Sequence, residues 1–226
     1  RDSIMLMVQQ REEIVRVGKL LYDRGLVQLC GGNISICDRE TGMVAIKPSG
    51  KAYIDMRPED VIIIDLNGKV IEGNSKPSIE TPMHTEIYKA RPDIKAIVHC
   101  HPPLAVAWSN KGKKYLRSVI AAMYMTKGAI MVAPYEDAGT EALAASAVKA
   151  IGEDGYGCIL QAHGVICGSA YSVFQAMEMC FVIEDAVKIA IVGELMGGDT
   201  FYIDDQLGLA GGYDGMARIR KADSEG

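Results

Sequence analysis

The chain has 226 residues, of which 49% are hydrophobic and 23% charged, and its formal net charge is −5. The length fits one domain with a full hydrophobic core, so we expect residues 1–226 to form a single domain. The acidic balance and the lack of Lys/Arg clusters argue against a surface for nucleic acid or anionic membranes, because such binding depends on neutralising phosphates. No apolar run in the sequence reaches the length needed to cross a bilayer.

Six cysteines are spread along the chain without a CxxC pair, and no secretory signal peptide precedes them. This usage is typical of reduced, mostly buried thiols. We therefore expect a cytoplasmic protein.

The first third of the chain predicts a packing helix followed by antiparallel strands. Apolar residues recur at helical spacing from about Ile4 to Arg24, and Gly25 is a C-terminal stop signal. Thr41-Gly42 and Asn67-Gly68 are turn signals between runs of strand-forming residues. The predicted strands are Asn33 to Cys37, Met43 to Ile46, Val61 to Asp65 and Lys69 to Glu72.

Two glycine-containing loops in this region are candidate phosphate sites. In Gly31-Gly32-Asn33 the adjacent glycines allow a tight backbone whose N–H groups can turn toward an anion. Lys47-Pro48-Ser49-Gly50 combines a cation, a hydroxyl and a glycine N–H. Taken alone, each loop is explained at least as well as an ordinary turn or a loop with a solvated lysine.

A helix is predicted from Pro82 to about Arg91, with Thr81 as its N-cap. Glu80 would then lie in the loop just before the helix, where a general base can be held near a neighbouring site. His84 falls inside the helix, and we interpret it as a packing residue or as a partner that supports the site, rather than as a metal ligand.

The chain has only four histidines, and two of them, His99 and His101, are spaced to lie on one face of a strand. Side chains two residues apart are separated by roughly 6.6 Å along a strand, so both imidazoles can reach one ion. Pro102 and Pro103 end the strand directly afterwards. Cys100 lies between the histidines and should point to the opposite face, as a small core residue.

The second half of the chain predicts alternating strands and helices, with a histidine at a strand end. His163 follows the predicted strand Cys158 to Ala162 and precedes Gly164. A lone histidine there would more often be a core residue, but beside a same-face histidine pair it is better interpreted as a ligand. The other predicted elements are the helix Leu104 to Ser109, the strand Gly128 to Pro134, the helix Glu141 to Ile151 capped by Thr140, the strand Val165 to Cys167, and the helix Ser169 to Met196.

Three imidazoles that leave one position open are typical of a catalytic metal ion, not of a structural one. The candidate set is His99, His101 and His163, with Glu80 as a fourth ligand or a base. The two small-residue loops, together with Ser78, would form a seat for a phosphate group.

These motifs resemble the class II aldolase/adducin-head family and, within it, the L-fuculose-1-phosphate aldolases. The matching segments occur in family order and cover nearly the whole chain. They are Gly32-Asn33-Ile34-Ser35, Lys47-Pro48-Ser49-Gly50, Ser78-Ile79-Glu80, His99-Cys100-His101-Pro102-Pro103, Gly139-Thr140 and His163-Gly164.

The resemblance implies an α/β fold with three α/β/α layers around a central, mainly antiparallel sheet, and a homotetramer with active sites between subunits. It implies zinc bound by His99, His101 and His163, although imidazoles also suit other divalent first-row metals. Glu80 would be the acid/base, with a further role as a zinc ligand before substrate arrives. The substrate phosphate would lie against Gly32, Asn33, Lys47, Ser49, Gly50, Ser78 and Ile79.

The implied reaction is the reversible aldol cleavage of a ketose 1-phosphate to dihydroxyacetone phosphate and an aldehyde. The expected substrate is L-fuculose 1-phosphate or a related deoxy sugar, which places the enzyme in carbohydrate metabolism. Zinc would polarise the carbonyl and stabilise an enediolate, while Glu80 would move the adjacent proton. No Schiff-base lysine is needed.

The sequence departs from the fuculose-phosphate pattern at several positions, which bears on the choice of aldehyde. Cys30 stands where a threonine is expected, Ile79 replaces a second serine, and Ala138 replaces an aromatic residue. The proton-donating tyrosine of these aldolases has no clear counterpart. Tyr124 is offset from the expected place, whereas Tyr213 matches the catalytic tyrosine of the C-terminal tail.

Three other interpretations are open at this point. A pentulose 5-phosphate 4-epimerase shares the fold, the three histidines and the Lys-Pro-Ser-Gly loop, but the epimerases carry the shorter aspartate at the position of Glu80. A phosphorylated keto-acid decarboxylase needs the same stabilisation of an enolate. A non-catalytic module like the adducin head needs no metal, so the retention of three histidines and Glu80 counts against it.

Overall fold

The computed structural model describes residues 5–116, 122 and 125–198 of the chain. None of the helices in this part of the chain is both long enough and apolar enough to span a bilayer. The α-helices described are α1 (Val8–Asp23), α2 (Thr81–Ala90), α3 (Pro103–Ser109), α4 (Glu141–Ile151) and α5 (Val173–Met196).

The described strands form one continuous sheet. They are β1 (Asn33–Cys37), β2 (Val44–Ile46), β3 (Ile62–Ile64), β4 (Val70–Glu72), β5 (Ala96–Cys100), β6 (Tyr115–Leu116), β7 (Ile130–Ala133), β8 (Gly157–Leu160) and β9 (Gly164–Ser169). Their order across the sheet is β4-β3-β2-β1-β5-β9-β8-β7-β6, and only β7 and β8 pair in parallel. The predicted mainly antiparallel sheet is therefore confirmed.

Helices cover both faces of the sheet, so the three predicted layers are confirmed as well. On one face α1, α3 and α5 pack through side chains such as Ile14, Trp108 and Ile183. On the other face α2 and α4 pack through residues such as Ile87 and Leu143. Because both faces are covered, the central strands are apolar on both sides, and a polar residue there needs a specific partner.

The predicted elements agree closely with the observed ones, apart from three helix starts. Glu80, not Thr81, is the N-cap of α2, and the Thr81 hydroxyl lies inside the helix and donates to the Ser78 carbonyl at 2.6 Å. The long helix begins at Val173, because Ser169 still belongs to β9, where it pairs with the first residue of β5. The first helix begins at Val8, four residues after the start predicted near Ile4. The other predicted elements are confirmed with end shifts of up to two residues.

One end of the central strands carries the candidate site. Asn33 at the start of β1 pairs with His99 near the end of β5. The turn between β8 and β9 carries His163 to the same end, and Gly164 follows it. A Cβ on Gly164 would lie 2.3 Å from the Cys100 carbonyl oxygen, so only glycine allows the two strand ends to approach this closely.

Candidate active site and metal centre

Glu80 and three histidines converge at this end of the sheet. The Nε2 atoms of His99 and His101 are 3.0 Å apart. One oxygen of Glu80, Oε2, lies 3.2 Å from Nε2 of His99, and the other, Oε1, lies 3.2 Å from Nε2 of His163. The four potential ligand atoms all lie within 4.8 Å of one another. The structure thus brings together the residues that the sequence analysis selected as a metal set.

Backbone carbonyl groups hold the ring of His99 and the main chain at His101 and His163. Nδ1 of His99 donates to the Val165 carbonyl at 2.9 Å, which leaves the lone pair of Nε2 facing the other ligand atoms. The backbone N–H of His101 donates to the Leu26 carbonyl at 2.9 Å. The backbone N–H of His163 donates to the Leu160 carbonyl at 3.1 Å. Each histidine is therefore positioned by a backbone hydrogen-bond partner.

His163 follows a residue in an unusual backbone conformation. Ala162 has a φ of 56°, in the left-handed region that costs a residue with a Cβ roughly 1–2 kcal/mol. Its N–H donates at 2.9 Å to the hydroxyl of Ser109, the last residue of α3. This hydrogen bond links the tight turn that presents His163 to a helix that packs on the sheet.

The electrostatics of the set favour a cation. Burial alone would raise the pKa of Glu80, but His99 and His163 outweigh it and hold that pKa well below its ordinary value. Burial likewise opposes charge on His99, yet the Glu80 carboxylate raises the pKa of this imidazole. Burial and the neighbouring His99 lower the pKa of His101 to about 3. Glu80 is thus an ionised carboxylate that attracts positive charge to the centre of the set.

The donor set fits a divalent first-row metal ion. Tetrahedral ligation at the usual metal–nitrogen distance sets ligand atoms roughly 3.4 Å apart, close to the 3.0 and 3.2 Å separations seen here. Among the described residues, Oε1 of Glu80 is one of the buried polar atoms that accept no well-aligned hydrogen bond, and Nε2 of His163 lies 3.2 Å from it. A buried carboxylate oxygen that faces imidazole nitrogens is suited to a metal or to a substrate proton.

His84 lies outside the metal set. It is fully buried, with Nδ1 at 2.6 Å from the Ser35 hydroxyl and Nε2 against Oδ1 of Asn33. The side-chain nitrogen of Asn33 in turn donates to Oε2 of Glu80 at 2.7 Å. The sequence analysis placed His84 in a supporting role, and this geometry agrees with that interpretation.

Sequence reasoning missed Ser35 and Tyr88, whose hydroxyls are 2.8 Å apart behind His84. A signal for them was present in the spacing. Asn33 and Ser35 share one face of a strand, and His84 and Tyr88 are four residues apart on one face of a helix. A buried polar pair on each of two elements indicates that the elements face each other.

The candidate phosphate loop at Lys47-Pro48-Ser49-Gly50 is joined to the segment that carries Ser78, next to Glu80. The Ser49 N–H donates to the Lys76 carbonyl at 2.9 Å, and the Ser78 N–H donates to the Lys47 carbonyl at 3.2 Å. Because these two N–H groups are already bonded, Ser49 and Ser78 could contact a ligand only through their hydroxyls. The Ser78 hydroxyl oxygen accepts the Glu80 N–H at 3.3 Å, which leaves its own O–H as a donor.

Lys47 is buried beneath these loops. Its ammonium group donates to the Cys30 carbonyl at 3.0 Å and to the Pro48 carbonyl at 3.2 Å, and lies 4.9 Å from the centre of the Tyr53 ring. Burial lowers the pKa of Lys47 to about 8. The lysine therefore connects both glycine loops and is charged at neutral pH.

The loop glycines differ in how tightly they are packed. Gly32 has a φ of 68°, and a Cβ there would lie 2.6 Å from the His99 carbonyl oxygen. Gly50 has a φ of 69°, but a Cβ there would meet nothing within 4 Å. Ile79, between the buried residues Ser78 and Glu80, is 67% exposed. Tyr124 and Tyr213, the candidate proton donors, lie outside the described residues.

An α/β/α fold that combines a centre of three histidines and a carboxylate with a candidate anion seat defines a metal-dependent enzyme. The family model for the class II aldolase and adducin N-terminal domain matches residues 12–191. The chain therefore belongs to this family, and it is an enzyme, a class II aldolase and hence a carbon–carbon lyase of a metal-dependent kind.

Similar proteins support the same assignment. The chain is 42% identical over 181 residues to 5-deoxy-D-ribulose 1-phosphate aldolase of Bacillus thuringiensis serovar kurstaki, covering 78% of this chain and 84% of that protein. A solved structure of an L-fuculose 1-phosphate aldolase has a TM-score of 0.82 at 31% identity, covering 97% of this chain and 99% of the other. The L-fuculose-1-phosphate aldolase of Thermus thermophilus has a TM-score of 0.72 at 25% identity, and the match covers 85% of this chain and 99% of that protein.

Proposed function

We propose that the enzyme is a zinc-dependent aldolase that reversibly cleaves a deoxyketose 1-phosphate to dihydroxyacetone phosphate and an aldehyde. The names of its relatives supply two candidate substrates, 5-deoxy-D-ribulose 1-phosphate and L-fuculose 1-phosphate. Both are ketoses that carry their phosphate on the first carbon, and cleavage between the third and fourth carbons leaves the same phosphorylated three-carbon fragment. The more identical relative makes the 5-deoxypentulose phosphate the first substrate to test.

The observation that carries this proposal is the Glu80 carboxylate, ionised and buried, whose two oxygens lie 3.2 Å from Nε2 of His99 and 3.2 Å from Nε2 of His163. In this proposal His99, His101 and His163 hold the ion, and Glu80 is close enough to contribute an oxygen. When bound, the ion supplies a Lewis acid that polarises the ketone and stabilises negative charge next to it.

Glu80 then serves as the acid/base. In the condensation direction it removes the proton next to the carbonyl of dihydroxyacetone phosphate, and in the cleavage direction it returns that proton to the same carbon. Its burial removes competing water, and as a carboxylate it has lone pairs that can accept the proton. Tyr213 is proposed to protonate the oxygen on the aldehyde side.

The substrate phosphate is proposed to bind beside Glu80, between the joined loops. Ser49 and Ser78 would donate from their hydroxyls, and the backbone at Gly32, Gly50 and Ile79 would offer N–H groups. Lys47 would neutralise part of the phosphate charge, and Asn33 has a second amide hydrogen besides the one donated to Glu80. Binding the phosphate at a distance from the reacting carbons contributes to rate by fixing their orientation.

We further propose a cytoplasmic homotetramer with active sites between subunits, and without nucleic-acid partners. The C-terminal half of α5 supports an association surface, because Ile189, Val192, Leu195 and Met196 are exposed apolar residues on one helix. Light scattering on the purified protein tests this. A mass of four chains is expected, and a monomer that retains full activity would contradict it.

A cleavage screen with metal analysis tests the proposed function. The zinc-loaded enzyme should release dihydroxyacetone phosphate from 5-deoxy-D-ribulose 1-phosphate or L-fuculose 1-phosphate, and lose this activity on chelation. Interconversion of pentulose 5-phosphates without cleavage would instead identify an epimerase. No turnover of any ketose 1-phosphate, with metal bound, would overturn the aldolase proposal.

A further inference from the structure

A continuous chain of hydrogen bonds lies behind Glu80 and ends on one of its oxygens. The Tyr88 hydroxyl lies 2.8 Å from that of Ser35, and the Ser35 hydroxyl lies 2.6 Å from Nδ1 of His84. Nε2 of His84 contacts Oδ1 of Asn33, and Nδ2 of Asn33 donates to Oε2 of Glu80 at 2.7 Å. We refer to these five residues as the hydrogen-bond chain.

The chemistry of the groups fixes the direction of every bond. The Glu80 carboxylate can only accept, so Asn33 must turn its NH2 group toward it and its carbonyl oxygen toward His84. That oxygen also only accepts, so Nε2 of His84 must carry a proton. A neutral imidazole has one N–H, hence Nδ1 accepts from Ser35, whose oxygen accepts from Tyr88.

Burial keeps the imidazole in that single form. His84 is fully buried, and desolvation lowers its pKa to about 3, so the ring is neutral at physiological pH. The other members of the chain are buried as well, with exposed fractions of 0% for Ser35 and Tyr88 and 3% for Asn33. Water therefore cannot easily replace a missing partner, and a broken link would leave an unsatisfied buried group.

We infer that His84 is a positioning residue for the acid/base Glu80, which it reaches through Asn33. As the Nε2–H tautomer it prevents the Asn33 amide from flipping, because a flipped amide would set its oxygen against the carboxylate. Oε2 of Glu80 is thereby fixed, and Oε1 is left facing His163 for the metal or for the substrate proton. This inference rests on the proposed role of Glu80.

Two variants at His84 test the inference against a control on the same helix. His84→Leu removes both links, whereas the amide of His84→Gln can still donate toward Asn33. The control is Thr85→Val, which removes a buried hydroxyl bonded to the Thr81 and Pro82 carbonyls, outside the hydrogen-bond chain. If unfolding free energies match between His84→Leu and Thr85→Val, a difference in turnover reflects positioning.

With saturating metal, His84→Leu should lower kcat roughly 10- to 100-fold, the usual effect of losing a group that orients a functional side chain. The KM should change less than kcat, because Lys47, Ser49 and Ser78 of the phosphate seat do not contact His84. His84→Gln should regain most of the lost kcat, and Thr85→Val should keep the wild-type kcat. Wild-type kcat in a folded, metal-loaded His84→Leu would overturn the inference, whereas an inactive wild type would overturn the proposed function instead.

A measurement on the metal-free wild-type protein does not depend on whether the variant folds. Nitrogen-15 NMR of the imidazoles should show His84 as the neutral tautomer with the proton on Nε2. A proton on Nδ1 would contradict the direction of the hydrogen-bond chain, and so would rule out this route to Glu80 irrespective of catalytic activity.

Discussion

The metal set and the phosphate loops are neighbours, but they are built in opposite ways. His99 sits in a central strand, where the Val165 carbonyl holds its ring. Asn33 holds the carboxylate of Glu80, which in turn contacts His163. The loops around Ser49 and Ile79 are exposed and are held mainly to one another by backbone bonds. The comparison indicates that the groups expected to do chemistry are rigidly supported, whereas the groups expected to bind phosphate rely on glycine backbone and hydroxyls.

The largest effect should come from removing a ligand in the rigid region. His99→Ala should abolish stoichiometric metal binding and lower turnover by more than about 1000-fold, since a Lewis acid supplies several kcal/mol of charge stabilisation. Metal content by mass spectrometry and retro-aldol kinetics measure both effects. Normal turnover in a metal-free His99→Ala protein would show that the histidine set has another purpose.

The two loop glycines offer a direct contrast between the regions. Gly50→Ala should cost about 1 kcal/mol of unfolding free energy, because only the left-handed backbone is strained. Gly32→Ala should cost clearly more and also lower activity, because its Cβ would press on the carbonyl of a proposed metal ligand. Denaturant unfolding of both variants gives the comparison. Equal losses of unfolding free energy in the two variants would mean that the end of the strand at His99 can shift to accommodate a Cβ at Gly32.

A change in the exposed region should affect binding more than chemistry. Ser49→Ala removes a hydroxyl that we expect to donate to the phosphate, a bond worth about 1.5–3 kcal/mol when one partner is charged. The KM for the ketose 1-phosphate should rise roughly 10-fold, with kcat nearly unchanged. The contrary result, a lower kcat at constant KM, would place Ser49 at the reacting carbons.

The smallest effect should be a pH dependence from Lys47. With a pKa of about 8, its ammonium is charged at pH 7 and loses its proton as the pH rises to 9. The phosphate loses a neutralising charge over that range, so KM should rise a few-fold. In Lys47→Gln, KM should be high and flat between these pH values. A wild-type KM that is independent of pH would remove Lys47 from the phosphate seat.

Local signals in the sequence predicted much of the fold. The strand at Asn33–Cys37 has the predicted limits, because a glycine turn precedes an uninterrupted run of strand-forming residues. The helix Glu141–Ile151 begins where expected, since the Thr140 hydroxyl accepts the Leu143 N–H as an N-cap should. The start of α5 was wrong because β-pairing of Ser169 with Ala96 is not visible from local spacing.

In the candidate site, too, local spacing predicted some residues, whereas contacts between distant segments could not be predicted. His99 and His101 could be paired from their spacing, and His163 joined them because it lies at a strand end. The link from Asn33 to Glu80 spans 47 residues and depends on how α2 packs on the sheet, which no local pattern encodes. Ser35 and Tyr88 were missed although their spacing from Asn33 and His84 carried a signal, because only the packing of α2 on the sheet shows that the two pairs meet.

Proton exchange on dihydroxyacetone phosphate tests the central claim most directly. In deuterated solvent and without any aldehyde, the zinc-loaded wild type should exchange a proton for deuterium at the carbon next to the carbonyl of dihydroxyacetone phosphate. Glu80→Gln should retain its metal but exchange about 100-fold or more slowly, the usual contribution of a general base. Unchanged exchange in metal-loaded Glu80→Gln would contradict the account.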